Sequence, residues 1–331
     1  SITIYAADNC DPNICKKFVG CNYSTEDKGK KTHQVDTCAL ISDDKNNCLN
    51  LNDCEYKMMT STIKKIKEEY EKINILLVNY NSAHSYPQNI KNFSEKEKIK
   101  ISEKIKKLTL QKSVSYINKF NPDYFIPFAG EYTISGKYYF LNKFKGVNSQ
   151  EECFSFFKNS KFYQKLIMLN YGEKFDSHDG KFEFKQKTNK EYLDYEKNNL
   201  TKIKYDYEYD DEPDKKMIEE LAQKAFDRLK SKIDYLSLNL DHVLLIKYYE
   251  KFIKLDLKSK NITFEKKNET THDIKEYTIV ELDEKLLTRL LKGPKHAHWN
   301  NADIGSHIFY TRSDINNYNY KIWNSIAYFH A

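Results

Sequence analysis

The sequence predicts a layered α/β domain with a mostly parallel sheet, followed by a small α+β module. Three observations lead there. Strand, helix, strand, helix and strand patterns alternate over residues 1–148; a charged, tyrosine-rich stretch occupies 190–216; and residues 234–331 carry a hairpin, a further strand and a helix. The expected organisation is thus 1–148, a charged and largely helical connection over 149–233, and a C-terminal module over 234–331.

Ile2–Ala6 and residues 35–41 read as strands, and residues 48–52 as a short apolar strand that ends at Asp53. From Met59 the apolar positions Met59, Ile63, Ile66, Tyr70 and Ile73 step by four and three, one face of an amphipathic helix. Residues 73–80 are almost continuously apolar, the pattern of a strand buried on both faces. Ser94 and Glu97 form a capping-box pair, which opens a long helix whose buried stripe is Ile101, Ile105, Leu108, Leu110, Val114 and Ile117. Tyr124–Phe128 is the next strand, and Pro127 should end its pairing.

Six acids lie between Asp206 and Asp214, and such a run reads as a solvated surface segment. A helix begins near Pro213 and presents Met217, Ile218, Leu221, Ala222, Phe226 and Leu229. Residues 252–257 and 262–266 flank a hairpin turn, 277–282 is a third strand, and Asp283 opens a helix that Gly293-Pro294 stops.

Composition narrows the partners. The 331 residues carry 54 basic and 48 acidic side chains, a net +6, yet only Arg228, Arg289 and Arg312 are arginines. Nucleic-acid grooves exploit the planar, bidentate guanidinium, so a nucleic-acid partner is not expected. The Lys, Asn, Tyr and Ile excess reads as codon bias. Nine glycines include no phosphate-cradling motif. No apolar run is long enough to span a bilayer, so no membrane partner is expected and the location is read as cytoplasmic. Seven cysteines, six of them within the first 54 residues, form an odd set in a long chain; reduced thiols are expected rather than a disulfide framework. The gaps between Cys10, Cys15 and Cys21 are not those of paired zinc knuckles. The chain starts at Ser1 without an initiator methionine, and the expectation is that something has been removed ahead of it.

Three strand ends carry candidate chemistry. Asp53 follows one strand, where open α/β sheets place their ligands, or else caps the next helix. His84 lies past the next strand in Asn81-Ser-Ala-His-Ser-Tyr-Pro-Gln88, where a lone loop histidine is more often a surface group. Glu131 follows the third strand. Near the C-terminus, His296, His298, Asp303 and His307 are metal-ligand types, and the histidine pair could point one way on a strand. Their spacing matches no metal motif, and both tryptophans, Trp299 and Trp323, lie close by; a packed or substrate-facing role is expected over a metal role.

The segments Asp8-Asn-Cys-Asp-Pro12, Gln34-Val-Asp36, Asn50-Leu-Asn-Asp-Cys54, Leu76-Leu-Val-Asn-Tyr-Asn-Ser-Ala83 with Tyr86-Pro-Gln88, and Pro127-Phe-Ala-Gly-Glu131 together resemble the second half of a metallo-β-lactamase-fold protein. The subgroup is the one similar to CMP-N-acetylneuraminate hydroxylase, and the stretch from His298 through Gly305 to Trp323 resembles its C-terminal region. The resemblance implies an αβ/βα sandwich, its C-terminal half present here, with an α+β extension. It also implies a divalent zinc or iron ion at the sheet edge, with Asp53 as a ligand. The family's His-x-His-x-Asp-His motif is absent from this sequence, as are the Cys-x-His and Cys-x-x-His pairs of a Rieske cluster. The other ligands are therefore expected from an upstream segment or a partner chain. The implied function is a metal-dependent hydrolase or hydroxylase acting on a sugar or nucleotide-sugar, with Glu131 and His84 as catalytic groups. His298, Asn300, Asn301, Asp303, His307 and Tyr86 would bind substrate. The alternative is a non-catalytic binding or assembly protein that has lost the metal site.

Overall fold

The computed structural model describes residues 1–6, 37–43, 45–51, 54–128, 130–169, 172–177, 180, 190–235, 238–266, 274–315 and 320–331. Packing divides the chain into two compact units that interleave along the sequence. The first takes 1–83, 100–132 and 146–190, and the second 84–99, 133–145 and 191–331. The boundaries read from composition, at 148 and 233, follow the chain; the packing boundaries cross it.

The first unit is built on a five-stranded sheet of β1 (Ile2–Ala6), β2 (Thr37–Ser42), β3 (Asn47–Asn50), β4 (Ile75–Asn79) and β5 (Tyr124–Phe128), in that spatial order. The mostly parallel sheet expected from the sequence is in fact mixed. β1, β2 and β3 are antiparallel, and only β3, β4 and β5 run parallel. The reason is the short link between β2 and β3, where Asp43 Oδ1 accepts from the amides of Lys45 (2.8 Å) and Asn46 (2.6 Å). A turn that tight can join only antiparallel neighbours. The parallel pairs are joined through α1 (Thr60–Glu69) and α2 (Glu95–Phe120).

Met59, Ile63 and Ile66 are fully buried, as their spacing requires, and Ser94 and Glu97 do cap α2, with Ser94 N donating to Glu97 Oε2 at 2.8 Å. Three details differ from expectation. Leu108 is exposed, because the buried stripe of α2 runs through Ser102, Leu110, Ser113, Tyr116, Ile117 and Phe120 and position 108 falls outside it. β4 is not buried on both sides: Leu76 and Val78 are fully covered, Ile75 and Leu77 only partly. Pairing also continues through Pro127 to Phe128, since β5 is an edge strand and a missing N–H on its outer side costs no ladder bond. A second capping box, Ser149 with Glu152, opens α3 (Gln150–Lys158), which buries Cys153 and Phe157 in the same core as Leu40, Leu76 and Phe125.

The longest segment of the second unit, from residue 191 on, begins in α4 (Lys190–Leu200) and continues with α5 (Lys215–Tyr235). Its sheet has the order β10-β9-β6-β7-β8, formed from β6 (Val243–Tyr248), β7 (Lys251–Asp256), β8 (Asn261–Lys266), β9 (Tyr277–Glu281) and β10 (Phe309–Arg312). The expected hairpin is β7–β8, and the expected third strand is β9, which pairs parallel with β6. Asp283 caps α6 (Glu284–Lys292), and Gly293, at φ +104, ends it. Two short helices, α7 (Trp299–Ile304) and α8 (Tyr320–Ile326), complete the unit. Ile218, Ala222, Phe226 and Leu229 of α5 share one core with Leu244, Ile246, Leu255, Leu287 and Leu290.

The acidic run at 206–214 is not merely solvated. Tyr207 is buried, and Arg289 grips Asp210 through two bonds, Nε to Oδ2 at 2.6 Å and a terminal nitrogen to Oδ1 at 2.7 Å. One of the chain's three arginines anchors the segment in the bidentate geometry that lysine cannot supply.

Three asparagines each clasp both backbone groups of one distant residue. Asn81 holds Asn148 (2.8 and 2.6 Å), Asn92 holds Arg312 (3.0 and 2.8 Å), and Asn142 holds Ile134 (2.8 and 2.9 Å). A side-chain amide presents the same donor and acceptor as a peptide, so each clasp is a one-residue β-bridge. Asn81→Ala should lower stability by about 1–3 kcal/mol, since it leaves buried groups of Asn148 unpaired. Asn300→Ala, at an exposed position, should change it by less than about 0.5 kcal/mol in the same urea titration.

Candidate functional site

In the first unit, β3, β4 and β5 are parallel neighbours, so their C-terminal ends share one edge. Asn50 closes β3, and Asp53 lies outside the described residues. The N-cap position of α1 is Met59, so the helix-cap reading of Asp53 does not hold for that helix. At the end of β4, the Asn79 carbonyl accepts from Ser113 Oγ at 2.7 Å, and Asn148 Nδ2 reaches the Tyr80 carbonyl at 3.2 Å and Thr109 Oγ1 at 3.1 Å.

Beyond β5, Gly130 lies against the Tyr80 ring so closely that a Cβ there would stand 2.4 Å from Cε1. Glu131 beside it is exposed. Burial pushes the Tyr80 phenol well above its ordinary range, with Cys153, Glu131 and Glu151 adding to the effect. Burial likewise pushes the Cys153 thiol up to about 12, so it stays protonated. Cys38, Cys48, Cys54 and Cys153 are free thiols; Cys10, Cys15 and Cys21 lie outside the described residues. Among the described residues, no three His, Cys, Asp or Glu side chains gather as a metal site.

The other predicted residues belong to the second unit. There residues 84–92 run beside 303–312. Ile90 bridges Tyr310 in parallel, Lys91 N donates to the Tyr310 carbonyl at 2.7 Å, and Asn89 Nδ2 donates to the Ile308 carbonyl at 2.5 Å. Asp303 Oδ1 accepts from both Ser85 Oγ (2.6 Å) and Tyr310 OH (2.7 Å). Gln88 Nε2 donates to the His84 carbonyl (2.7 Å) and to Ser306 Oγ (3.3 Å). The structure therefore brings the His84 segment and Asp303 together, through Ser85, Gln88 and Tyr310. None of those three was singled out in the sequence, although the dense small-polar stretch 81–89 marked the place.

His84 is not a surface residue. Burial holds its imidazole below the ordinary value near 6.5, against the opposing pull of the Asp303 charge. Tyr86, joined to Pro87 by a cis peptide, is partly exposed and meets Phe93 edge to face at 5.9 Å.

The histidine pair is on no strand. His296 lies in the turn after Gly293, while His298 is the N-cap of α7, its Nδ1 accepting from Asn300 N at 3.2 Å. Asn300 and Asn301 are exposed on that helix. His307 stands apart, ringed by Tyr138, Tyr205 and Tyr207 at centroid distances of 5.7, 4.4 and 5.6 Å, with Nδ1 3.1 Å from the Tyr207 hydroxyl. Burial and the Lys137 charge hold it neutral, with Glu208 opposing. Of the four potential ligands near the C-terminus, His298, Asp303 and His307 thus each have separate hydrogen-bond partners, and His296 is exposed in its turn. No family model, no curated protein and no solved structure matches the chain.

Two outcomes follow. His84, His242, His307 and His330 are all held below their ordinary value by burial, so the unfolded chain binds more protons than the folded one once pH falls beneath about 6.5. Stability should be full above that value and fall on acidification toward the lowered folded values, and His307→Gln should flatten the slope in urea titrations between about pH 7.5 and 5. Gly130→Ala should cost about 1–3 kcal/mol, because the Tyr80 ring must move to admit the methyl group.

Proposed function

We propose that this chain supplies the second half of a metallo-β-lactamase-type fold to a metal-dependent enzyme, of hydrolase or hydroxylase type, that acts in the cytoplasm on a sugar or nucleotide-sugar substrate. The observation that supports this reading is the shared edge of β3, β4 and β5, where parallel α/β sheets carry their ligands. In this reading Asp53 is a metal ligand and Glu131, exposed past β5, is the ionisable group that exchanges a proton with the substrate.

The described residues do not hold a metal by themselves, since no three suitable side chains converge. The remaining ligands would come from an upstream segment or partner chain. A bound zinc or iron ion would activate water or oxygen there. This chain's described contribution is a braced, amide-rich edge, in which Asn81 and Asn148 fix the loop after β4 and Gly130 lets the backbone approach Tyr80.

That same amide-rich character favours the second reading, a metal-free binding or assembly protein. The amides at the end of β4, Asn81 and Asn148, are buried and bonded to one another and to backbone, a bracing role that needs no metal. Metal content and thermal shift discriminate between the two. If the first reading holds, then with the upstream segment or partner chain that completes the site present, zinc or iron(II) at a hundredfold excess over Kd stabilises the protein by about 2.7 kcal/mol, and Asp53→Ala abolishes the gain. No bound metal, no shift and no effect of Asp53→Ala would replace it with the second.

A further inference from the structure

We propose that a cleft in the second unit binds a neutral, polyhydroxylated ring, such as a single sugar unit. The cleft is a shallow, open one of about 370 Å³, lined by Lys91, Tyr138, Glu281, Leu282, Asp283 and Phe309. That volume falls at the small end of the roughly 300–1,000 Å³ spanned by small-molecule sites. Its shape follows from strand register. Glu281 on β9 sits directly opposite Phe309 on β10, and Lys91 is placed by its backbone bond to Tyr310, the next residue. Asp283 is fixed as the cap of α6, and Tyr138 belongs to the 3-10 helix Gly136–Phe144.

The lining selects the ligand. Tyr138 and Phe309 meet edge to face, with centroids 5.2 Å apart, and form an apolar wall for the C–H face of a saturated ring. The charged groups are already paired. Lys91 Nζ lies 2.5 Å from Glu281 Oε2, while Lys247 lies 3.5 Å from Oε1 of the same carboxylate. Lys137 Nζ lies 2.7 Å from Asp283 Oδ2 and 3.2 Å from Glu208 Oε1.

Lys91, Glu281 and Asp283 line the cleft itself, and Lys247, Lys137 and Glu208 beyond the lining complete the ion pairs, so that three ammonium groups balance three carboxylates. An anionic ligand would meet the carboxylates and a cationic one the lysines. A hydroxyl can donate to a carboxylate oxygen while accepting from the neighbouring ammonium, so it bridges each pair without breaking it. A ring carrying several hydroxyls answers both rows and the aromatic wall at once. The inference shares only its ligand class with the proposed function and requires no metal.

Saturation-transfer NMR on the full chain tests it, with methyl α-D-glucopyranoside and N-acetyl-D-glucosamine as neutral probes, glucose 6-phosphate as an anionic probe and glucosamine as a cationic one. The expected result is transfer to the ring C–H protons of the neutral sugars at millimolar concentration. Phe309→Ala and Glu281→Gln should each weaken it by about tenfold, the latter substitution preserving size at a partly exposed position. Asp53→Ala and chelators should leave it unchanged. If that binding persists while the metal test fails, only the proposed function falls. The inference itself is overturned by no transfer from either neutral sugar, by tighter binding of a charged probe, or by neutral-sugar binding that survives both cleft substitutions in variants with the wild-type circular dichroism spectrum.

Discussion

The structure depends on side-chain amides standing in for backbone where regular secondary structure stops. Asn81, Asn92 and Asn142 each satisfy a distant peptide's N–H and C=O together, and Asn89 takes the Ile308 carbonyl. Asn47 and Asn74 do similar work at the starts of β3 and β4, where Asn74 Oδ1 accepts from Asn47 N and Asn47 Nδ2 donates to the Lys72 carbonyl. Loops that carry buried backbone must find such partners or lose about 1–3 kcal/mol per orphaned group. Here the partner is built into the sequence, and it is specific in distance and direction, so it fixes loop position as well as energy.

The two units carry different chemistry on that common frame. The strand-end edge of the first unit carries the exposed carboxylate Glu131 near a buried phenol, Tyr80, on which Glu151 also acts, and buried thiols kept protonated or hydrogen-bonded. In the second unit burial holds the imidazoles of His84, His242, His307 and His330 below their ordinary value, and lysine–carboxylate pairs such as Lys91–Glu281 and Lys137–Asp283 lie outside the core. Neutral imidazoles among tyrosines hold shape; paired charges at a cleft mouth offer hydrogen bonds without net field. Positioning and recognition are thereby assigned to different residues.

Elements with strong local signals were legible in the sequence. The capping pair Ser94 and Glu97, the four-and-three stepping from Met59, and the Asp283 to Gly293 helix are local rules, and each holds. β6 and β10 were not legible. β6 has a run of buried residues with no clean alternation, and β10 is four residues long and gains its place only by pairing with β9 and bridging residue 90. The sheet direction was misjudged because a short link between β2 and β3 outweighs the parallel pattern that follows it. Leu108 looked buried because hydrophobicity was read without the helix's rotation. At the candidate site, residue type drew attention to Asp303 and His307, but their partners Ser85 and Tyr207 depend on contacts 218 and 100 residues apart. The asparagines, read as codon bias, proved to be structural.

The interleaving of the units bears on how the chain is made. Residues 84–92 leave the ribosome long before 303–312, the strand and loop that receive their side chains. At the usual 5 to 20 residues per second, the wait is on the order of ten to forty seconds. During that interval Gln88, Asn89 and Asn92 are without the partners that satisfy them in the finished protein, and Ile90 is without its core. The first unit's sheet strands, by contrast, are all synthesised by residue 128. Biosynthesis therefore places a time order on the two units, and the early polar stretch, rich in amides and poor in large apolar groups, is suited to waiting in water.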